Sequence, residues 1–321
     1  MMISGTESAT LSVDLITQTC ERILTLLVQY RRHSEKGQMT IQCCRTTFPL
    51  QFEQIKQFVT ANQPIGFVLP GFPCKSPNLR KVLGTLPDLA ERLSLRFLQQ
   101  LCNRIKANYL PGARIVICSD GHVFGDLIRV TDQVIDDYAR SLGNMIKEDD
   151  LTCIDVFHLE HLYADLNYDQ QRDHLIKKWA KPLPEIKKEL LRTEENRQLY
   201  RGITRFLVED SLEHAGMSKA AIQRQCRQRA LSVIQRSWAW GDVIAHQYPT
   251  AIRLSIHPQP VCSAKFGILL IDTPDNWMTP WHVVCVLTKS GYAFMKHHEA
   301  KQIGKLVRVG GIPSHYDASI T

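Results

Sequence analysis

The residues best able to do chemistry in this chain lie in two loops. These are Pro70-Gly71-Phe72-Pro73-Cys74-Lys75-Ser76-Pro77-Asn78 and Ser119-Asp120-Gly121-His122-Val123-Phe124-Gly125-Asp126. Lys75 stands between two prolines, which fix the backbone and lower the entropy lost on ordering it. A loop set in advance in this way aims an ammonium at an anion or a carbonyl. In the second loop Asp120 and His122 are two residues apart, so an extended backbone turns them to the same side. Both residue types exchange protons near neutral pH, and Asp126 adds another carboxylate. Lys75, Asp120, His122 and Asp126 are therefore the candidate catalytic groups. The ordinary alternatives are a lysine in an exposed turn, an aspartate capping the next helix and a histidine in the core.

Arg80 and Lys81 follow the first loop closely, so a phosphate or carboxylate could meet several donors there. Ser119 and Phe124 are taken as lining residues of the same pocket. Farther along, Arg253, His257 and Lys265 flank two expected strands, with Arg253 and His257 on one side and Ser255 between them. Thr279-Pro280-Trp281-His282 places an aromatic ring and an imidazole at the start of another strand. These complete the candidate substrate-binding set. Surface strand residues and a packing tryptophan are the competing reading.

Each loop follows a short apolar run, Ile65 to Leu69 and Arg114 to Cys118, and precedes a segment with helical periodicity. Apolar run, Gly-rich loop and helix form the repeating unit of an open α/β sheet, whose ligands sit beyond the carboxyl ends of the strands. Residues 11 to 31 have the spacing of an amphipathic helix, and residues 52 to 61 that of a shorter one. Asp88 with Glu91 after Pro87 resembles a capping box opening a helix. Thr131 opens another, and Cys153 to Phe157 is a third strand. The order implies a parallel sheet with right-handed crossovers.

Residues 168 to 237 are helical and of mixed charge, interrupted at Pro182-Leu183-Pro184. Then short strand-like runs follow, at 251 to 256, 266 to 271, 282 to 287 and 292 to 296, which suggest a small antiparallel region. The expected architecture is α/β: a Rossmann-like, mostly parallel sheet flanked by helices over residues 1–245, with a helical insertion at about 165–240. A smaller strand-rich region covers 246–321.

With 321 residues, 44% hydrophobic and 22% charged, the chain has ample material for a large core. No apolar run approaches the roughly 18 to 20 residues of a membrane helix. Met1 to Thr10 carries no basic residue, and the next apolar stretch is broken by Asp14, Glu21 and Arg22, unlike a signal peptide. Ten scattered cysteines without a CxxC pair suit a reducing compartment, so a cytoplasmic location is expected. The adjacent Cys43-Cys44 is read as structural. The formal charge of +7 fits either a nucleic-acid surface or a cationic pocket, but no basic run or aromatic-rich basic stripe favours the former. HExxH, HxxxH, P-loop, GxGxxG and GxSxG patterns are absent from the sequence, so no metal or nucleotide cofactor is indicated.

PGFPCKSPNLRKVLGTLPDLAE from Pro70 to Glu91 and ICSDGHVFGDLIRVTD from Ile117 to Asp132 resemble the pyoverdine/dityrosine biosynthesis family, the isonitrile synthases. IRLSIHPQ (Ile252 to Gln259) and MTPWHVV (Met278 to Val284) are similar to the same family. The resemblance implies an enzyme that converts the α-amino group of an amino acid, tyrosine or tryptophan in bacterial members, to an isonitrile. The added carbon is C2 of ribulose 5-phosphate. The amine condenses with the sugar ketone to an imine, and carbon–carbon cleavages with loss of phosphate leave that carbon on nitrogen. No metal or redox cofactor is implied, nor a nucleic-acid or membrane partner. An iron- and 2-oxoglutarate-dependent oxygenase is the implied downstream partner. Lys75 would stabilise an oxyanion or phosphate, and His257, Trp281 and His282 would line the amino-acid end. Two rival readings are a sugar-phosphate aldolase with Lys75 as Schiff-base residue and a nucleic-acid-binding protein.

Overall fold

The computed structural model describes residues 12–32, 44–211, 216–273 and 278–319. Met1 to Thr10 and Cys43 lie outside them. The chain opens with helices α1 (Val13–Gln29), α2 (Cys44–Thr47) and α3 (Pro49–Thr60). Strand β1 (Ile65–Pro70) leads through the first loop to α4 (Leu89–Asn108), and β2 (Ala113–Cys118) leads through the second loop to α5 (Gly121–Ile128) and α6 (Asp132–Glu148). Strand β3 (Ile154–Phe157) precedes four helices: α7 (Tyr168–Trp179), α8 (Leu183–Arg192), α9 (Glu194–Ser211) and α10 (Lys219–Gln247). Then come β4 (Ile252–Ser255), β5 (Lys265–Gly267), β6 (Val284–Thr288), β7 (Gly291–Met295), α11 (His297–Ile303), β8 (Lys305–Val309) and β9 (Ile312–Asp317).

Strands β1 to β5 make one sheet, parallel throughout, in the order β3-β2-β1-β4-β5. The expected α/β architecture is present. One grouping is corrected: β4 and β5 were expected in an antiparallel region, but β4 pairs parallel with β1 and β5 with β4, so they extend the first sheet. A separate four-stranded sheet, β7-β6-β9-β8, is mixed, because β6 and β9 run parallel while the other pairs are antiparallel.

Local sequence explains the elements that carry the site. In α4, Leu95, Leu98, Leu101, Cys102 and Ile105 are buried at helical spacing, and the start is a full capping box. Asp88 accepts the Ala90 N–H at 2.8 Å and Glu91 accepts the Asp88 N–H at 3.0 Å. Ile65, Phe67 and Leu69 of β1 enter the core shared with α1, α3 and α4, whereas Val68 packs on the other face with Trp240 and Val243 of α10. Burial of both faces is what a central parallel strand requires, and each such side chain contributes about 1.5–3 kcal/mol. The chain passes from β1 to β2 and β3 on one side and returns to β4 on the other. The loops after β1 and β4 therefore part company at the β1/β4 boundary, a topological switch point that leaves a crevice at the carboxyl edge.

Candidate functional site

A cavity of about 410 Å³ occupies that crevice. Its walls come from the first loop (Gly71 to Pro77), Asp120 after β2, Ile256 and His257 after β4, the turn from Met278 to Val283, and α9 and α10. An open groove along α1, about 490 Å³, touches none of the candidate residues.

Close backbone approach builds the cavity floor. A Cβ on Gly121 would stand 2.3 Å from the Pro73 carbonyl oxygen, so only glycine lets the two loops meet. Phe72 adopts φ 55°, a conformation rare for a bulky side chain. It is held there by Trp281, 5.0 Å between ring centroids, and by Ser119, whose Oγ donates to the Phe72 carbonyl at 2.9 Å. The Ser76 N–H donates to the Trp281 carbonyl at 2.9 Å.

Among the buried polar atoms, three belonging to residues that line the cavity lack a hydrogen-bond partner: Asp120 Oδ1, Asp210 Oδ2 and His282 Nδ1. Burial lifts the Asp120 carboxyl to about 7, against a smaller lowering by its own backbone N–H. Burial, with Lys81, Lys75 and His257 adding positive charge, holds the His282 imidazole down at about 3, so the ring is neutral at neutral pH. Burial also raises Asp210, although Lys81 opposes it. A buried polar atom without a partner costs about 1–3 kcal/mol, a cost that a ligand can remove. The remaining wall is largely apolar: Phe124, Ile128, Ile203, Phe206, Val233 and Trp281. The Phe206 ring stands edge-on to His282, 4.8 Å between centroids.

Several expected site residues are placed elsewhere. Lys75 contributes to the cavity wall, but its ammonium is enclosed. It meets Glu91 at 2.7 Å, Asp88 at 2.9 Å and the Pro280 carbonyl at 3.0 Å. All three of its hydrogens are used. Burial lowers its pKa, yet the two carboxylates outweigh that and hold it above the ordinary lysine range. The ammonium is thus engaged by protein groups on all three hydrogens, whereas a phosphate site needs a free cation and a Schiff base a neutral amine. Burial in turn raises Glu91, against the lowering by Lys75.

His122 is buried away from the cavity, with Nδ1 3.0 Å from Asp132, Nε2 3.0 Å from Asp136 and its ring stacked 3.7 Å from Tyr168. Asp126 forms a two-pronged pair with Arg236 at 2.5 and 3.0 Å. Neither faces Asp120 across a shared site. Their types fitted proton transfer, but α6 supplies the charged partners of His122 and the helical insertion that of Asp126, and the loop alone reveals neither. Ser119 is internal, and Arg80 is exposed outside the cavity lining. Lys81 does line it, but its ammonium is taken by Asp210 at 2.6 Å and Glu209 at 3.1 Å. His257, Trp281, His282 and Phe124 lie on the wall. Arg253 and Lys265 lie outside that lining, side by side in the sheet.

Asp210, Phe206, Ile203 and Val233 went unread in the sequence. They sit in the mixed-charge helices, where nothing distinguishes a cavity wall from a solvated face. One group could hold a cation: His122, Asp136 and Glu160 offer ligand atoms within 4.8 Å of one another. Those atoms already share hydrogen bonds among themselves and with the Tyr168 hydroxyl, which reaches Asp136 at 2.6 Å.

The pyoverdine/dityrosine biosynthesis protein family matches residues 55–307, a span that includes both loops and the cavity. This chain belongs to that family. The L-tyrosine isonitrile synthase of Xenorhabdus nematophila is 49% identical over 310 residues, covering 94% of this chain and 92% of that protein. The L-tryptophan isonitrile synthase AmbI2 of Fischerella ambigua is 42% identical over 299 residues, covering 92% of this chain and 91% of that protein. Among solved structures, the PvcA protein of Pseudomonas aeruginosa superposes with a TM-score of 0.88 at 49% identity, over 93% of this chain and 99% of that one. Within the family fold, the cavity at the β1/β4 switch point is lined by three residues with a buried, unpartnered polar atom, Asp120, Asp210 and His282. Among the described residues no helix is long and apolar enough to cross a membrane.

Proposed function

We propose that this protein is an isonitrile synthase acting on an aromatic amino acid, tyrosine first, with C2 of ribulose 5-phosphate as the carbon donor. The observation that carries the reading is a cavity with largely apolar walls and three unpartnered polar atoms, Asp120 Oδ1, Asp210 Oδ2 and His282 Nδ1. Phe124, Ile203, Phe206 and Val233 provide the surface an aromatic side chain requires. The α-ammonium must lose a proton before its nitrogen can attack the sugar ketone. A carboxyl with a pKa of about 7 is half ionised at neutral pH and suits that transfer, which assigns Asp120 as the base. The neutral His282 ring offers a hydrogen bond to the imine or to a sugar hydroxyl without bringing a second charge. An oxygenase using iron and 2-oxoglutarate is the class of enzyme expected to take the product.

Mass spectrometry of the purified protein with ribulose 5-phosphate and single amino acids, with a tetrazine probe to trap isonitrile, tests the reading. A trapped product that requires the sugar phosphate and one aromatic amino acid is expected without added metal. Consumption of the sugar phosphate with no trapped product from any amino acid would overturn it.

A further inference from the structure

The proposed reaction consumes a sugar phosphate, and the identity of the anion below rests on that reading. The cations of the cavity wall are engaged: Lys75 with Asp88 and Glu91, Lys81 with Asp210 and Glu209, and Lys296 at 3.9 Å from Glu209. Two cations beside the cavity are not. Arg253 of β4 and Lys265 of β5 are direct register partners. Parallel neighbours of this kind stand about 4.8 Å apart and project to one face. Among the described residues, neither side chain has a hydrogen bond or an ion pair, and Arg253 Nε is enclosed without a partner. Like charges placed side by side repel. Burial depresses the pKa of Arg253; Lys265 is exposed at the edge strand, and desolvation with the Arg253 charge lowers its pKa, while Asp242 and Glu195 act only from beyond ion-pairing distance.

Arg253 lies between β4 and α10. Ile252 and Leu254 enter the core, so Arg253 takes the opposite face of β4, under α10. At that crossing α10 carries Gly241, where a Cβ would stand 3.2 Å from the guanidinium. The preceding residue, Trp240, donates from Nε1 to the Cys118 carbonyl at 3.3 Å, so this turn of α10 sits at the carboxyl end of β2. The guanidinium therefore packs beside the turn of α10 that lies over the carboxyl edge of the sheet, where the cavity is also found. His257 continues the chain of β4 into the cavity wall and lies close enough to Lys265 to feel its charge.

We propose that Arg253 and Lys265 seat the phosphate of the sugar co-substrate, with the sugar chain running past His257 into the cavity. A carboxylate shares the chemistry, but two adjacent cations match a phosphate dianion in charge, and the guanidinium fork matches its oxygens.

Titration with inorganic phosphate, followed by calorimetry, tests the seat without reference to turnover. Lys265→Met and Arg253→Met are each expected to weaken phosphate binding about tenfold or more, the loss of one charge-assisted hydrogen bond. Both variants should unfold at or above the wild-type temperature, since each removes a repelling charge; a merely structural arginine would lower it. In steady-state assays KM for ribulose 5-phosphate should rise by a similar factor while KM for the amino acid stays put. Undiminished phosphate affinity in both variants would overturn the proposal. So would a rise confined to the amino-acid KM, which would make the pair a carboxylate site. Weakened phosphate binding in a protein that makes no isonitrile would support the seat and sink only the reading of the activity.

Discussion

Lys75 and Glu91 meet at 2.7 Å in the protein interior, and the contact ties the loop after β1 to the first turn of α4. Glu91 Oε2 also accepts the Asp88 N–H, so one oxygen serves the capping box and the ion pair together. Tyr138 donates to the other oxygen at 3.3 Å. The cluster fixes the loop that floors the cavity.

Lys75→Met should therefore be a stability variant before it is a catalytic one. Removing one partner of a buried pair costs about 3–5 kcal/mol, because the other charge is left uncompensated. Denaturant unfolding should show that loss, and Lys75→Met combined with Glu91→Gln should recover part of it. A Lys75→Met protein of wild-type stability with abolished turnover would return Lys75 to the catalytic residues.

Asp120 should set the acid limb of the pH profile. As a base it must be ionised, so kcat/KM should fall as pH drops through about 7, the value to which burial lifts its carboxyl. Asp120→Asn should reduce kcat by about 10²-fold or more and remove that limb. Stability should move in the opposite sense. A carboxyl whose folded pKa lies above its unfolded value contributes stability at low pH that is lost as pH rises through about 7. Asp120→Asn should thus raise the unfolding temperature more at pH 8.5 than at pH 5.5. Equal effects at both pH values would contradict the assignment.

The sequence displays what is local and hides what is distant. The Asp88–Glu91 capping box, the strands ending at Pro70 and Cys118 and the loops after them all declare themselves within a few residues. The partners of β4 and β5 do not. A strand of four residues has the same alternation in a parallel sheet as in an antiparallel one, and pairing with β1 depends on residues far away in the chain. Charge partners are hidden for the same reason. Lys75 was legible as a rigidly held lysine, but nothing in its loop announces that Glu91, already read as a cap, would take its charge. The α9 wall with Phe206 and Asp210 was least legible, since a mixed-charge helix reads as a solvated one until its packing is known.

His122 and Asp126 should behave as supports. The imidazole bridges Asp132 and Asp136, and Arg172 binds Asp132 at 2.8 Å and the His122 carbonyl at 3.2 Å, so the group joins α5, α6 and α7. His122→Gln keeps a donor but loses the second contact, and should lower stability by about 1–3 kcal/mol. Activity of the folded variant, measured well below its unfolding temperature, should remain within about threefold of wild type, less than the 10²-fold or more that removal of a general acid or base costs. Loss of turnover without loss of stability would place His122 in the reaction.

Val233 offers a test of which wall receives the amino-acid side chain. It projects from α10 into the cavity near Phe124 and Phe206, on the apolar side. Val233→Phe would occupy the room that an aromatic ring needs while keeping the wall apolar. Overpacking at a partly open cavity strains the fold less than in a closed core, where the cost is about 1–3 kcal/mol. KM for the aromatic amino acid should therefore rise about tenfold or more, the scale of losing ring burial. KM for ribulose 5-phosphate should change little, because the sugar phosphate is assigned to the β4–β5 side. A variant that accepts a small aliphatic amino acid in place of the aromatic one would fix α10 as the specificity wall. Unchanged KM values for both substrates would move the aromatic ring away from Val233, to the part of the cavity between Trp281 and Met278.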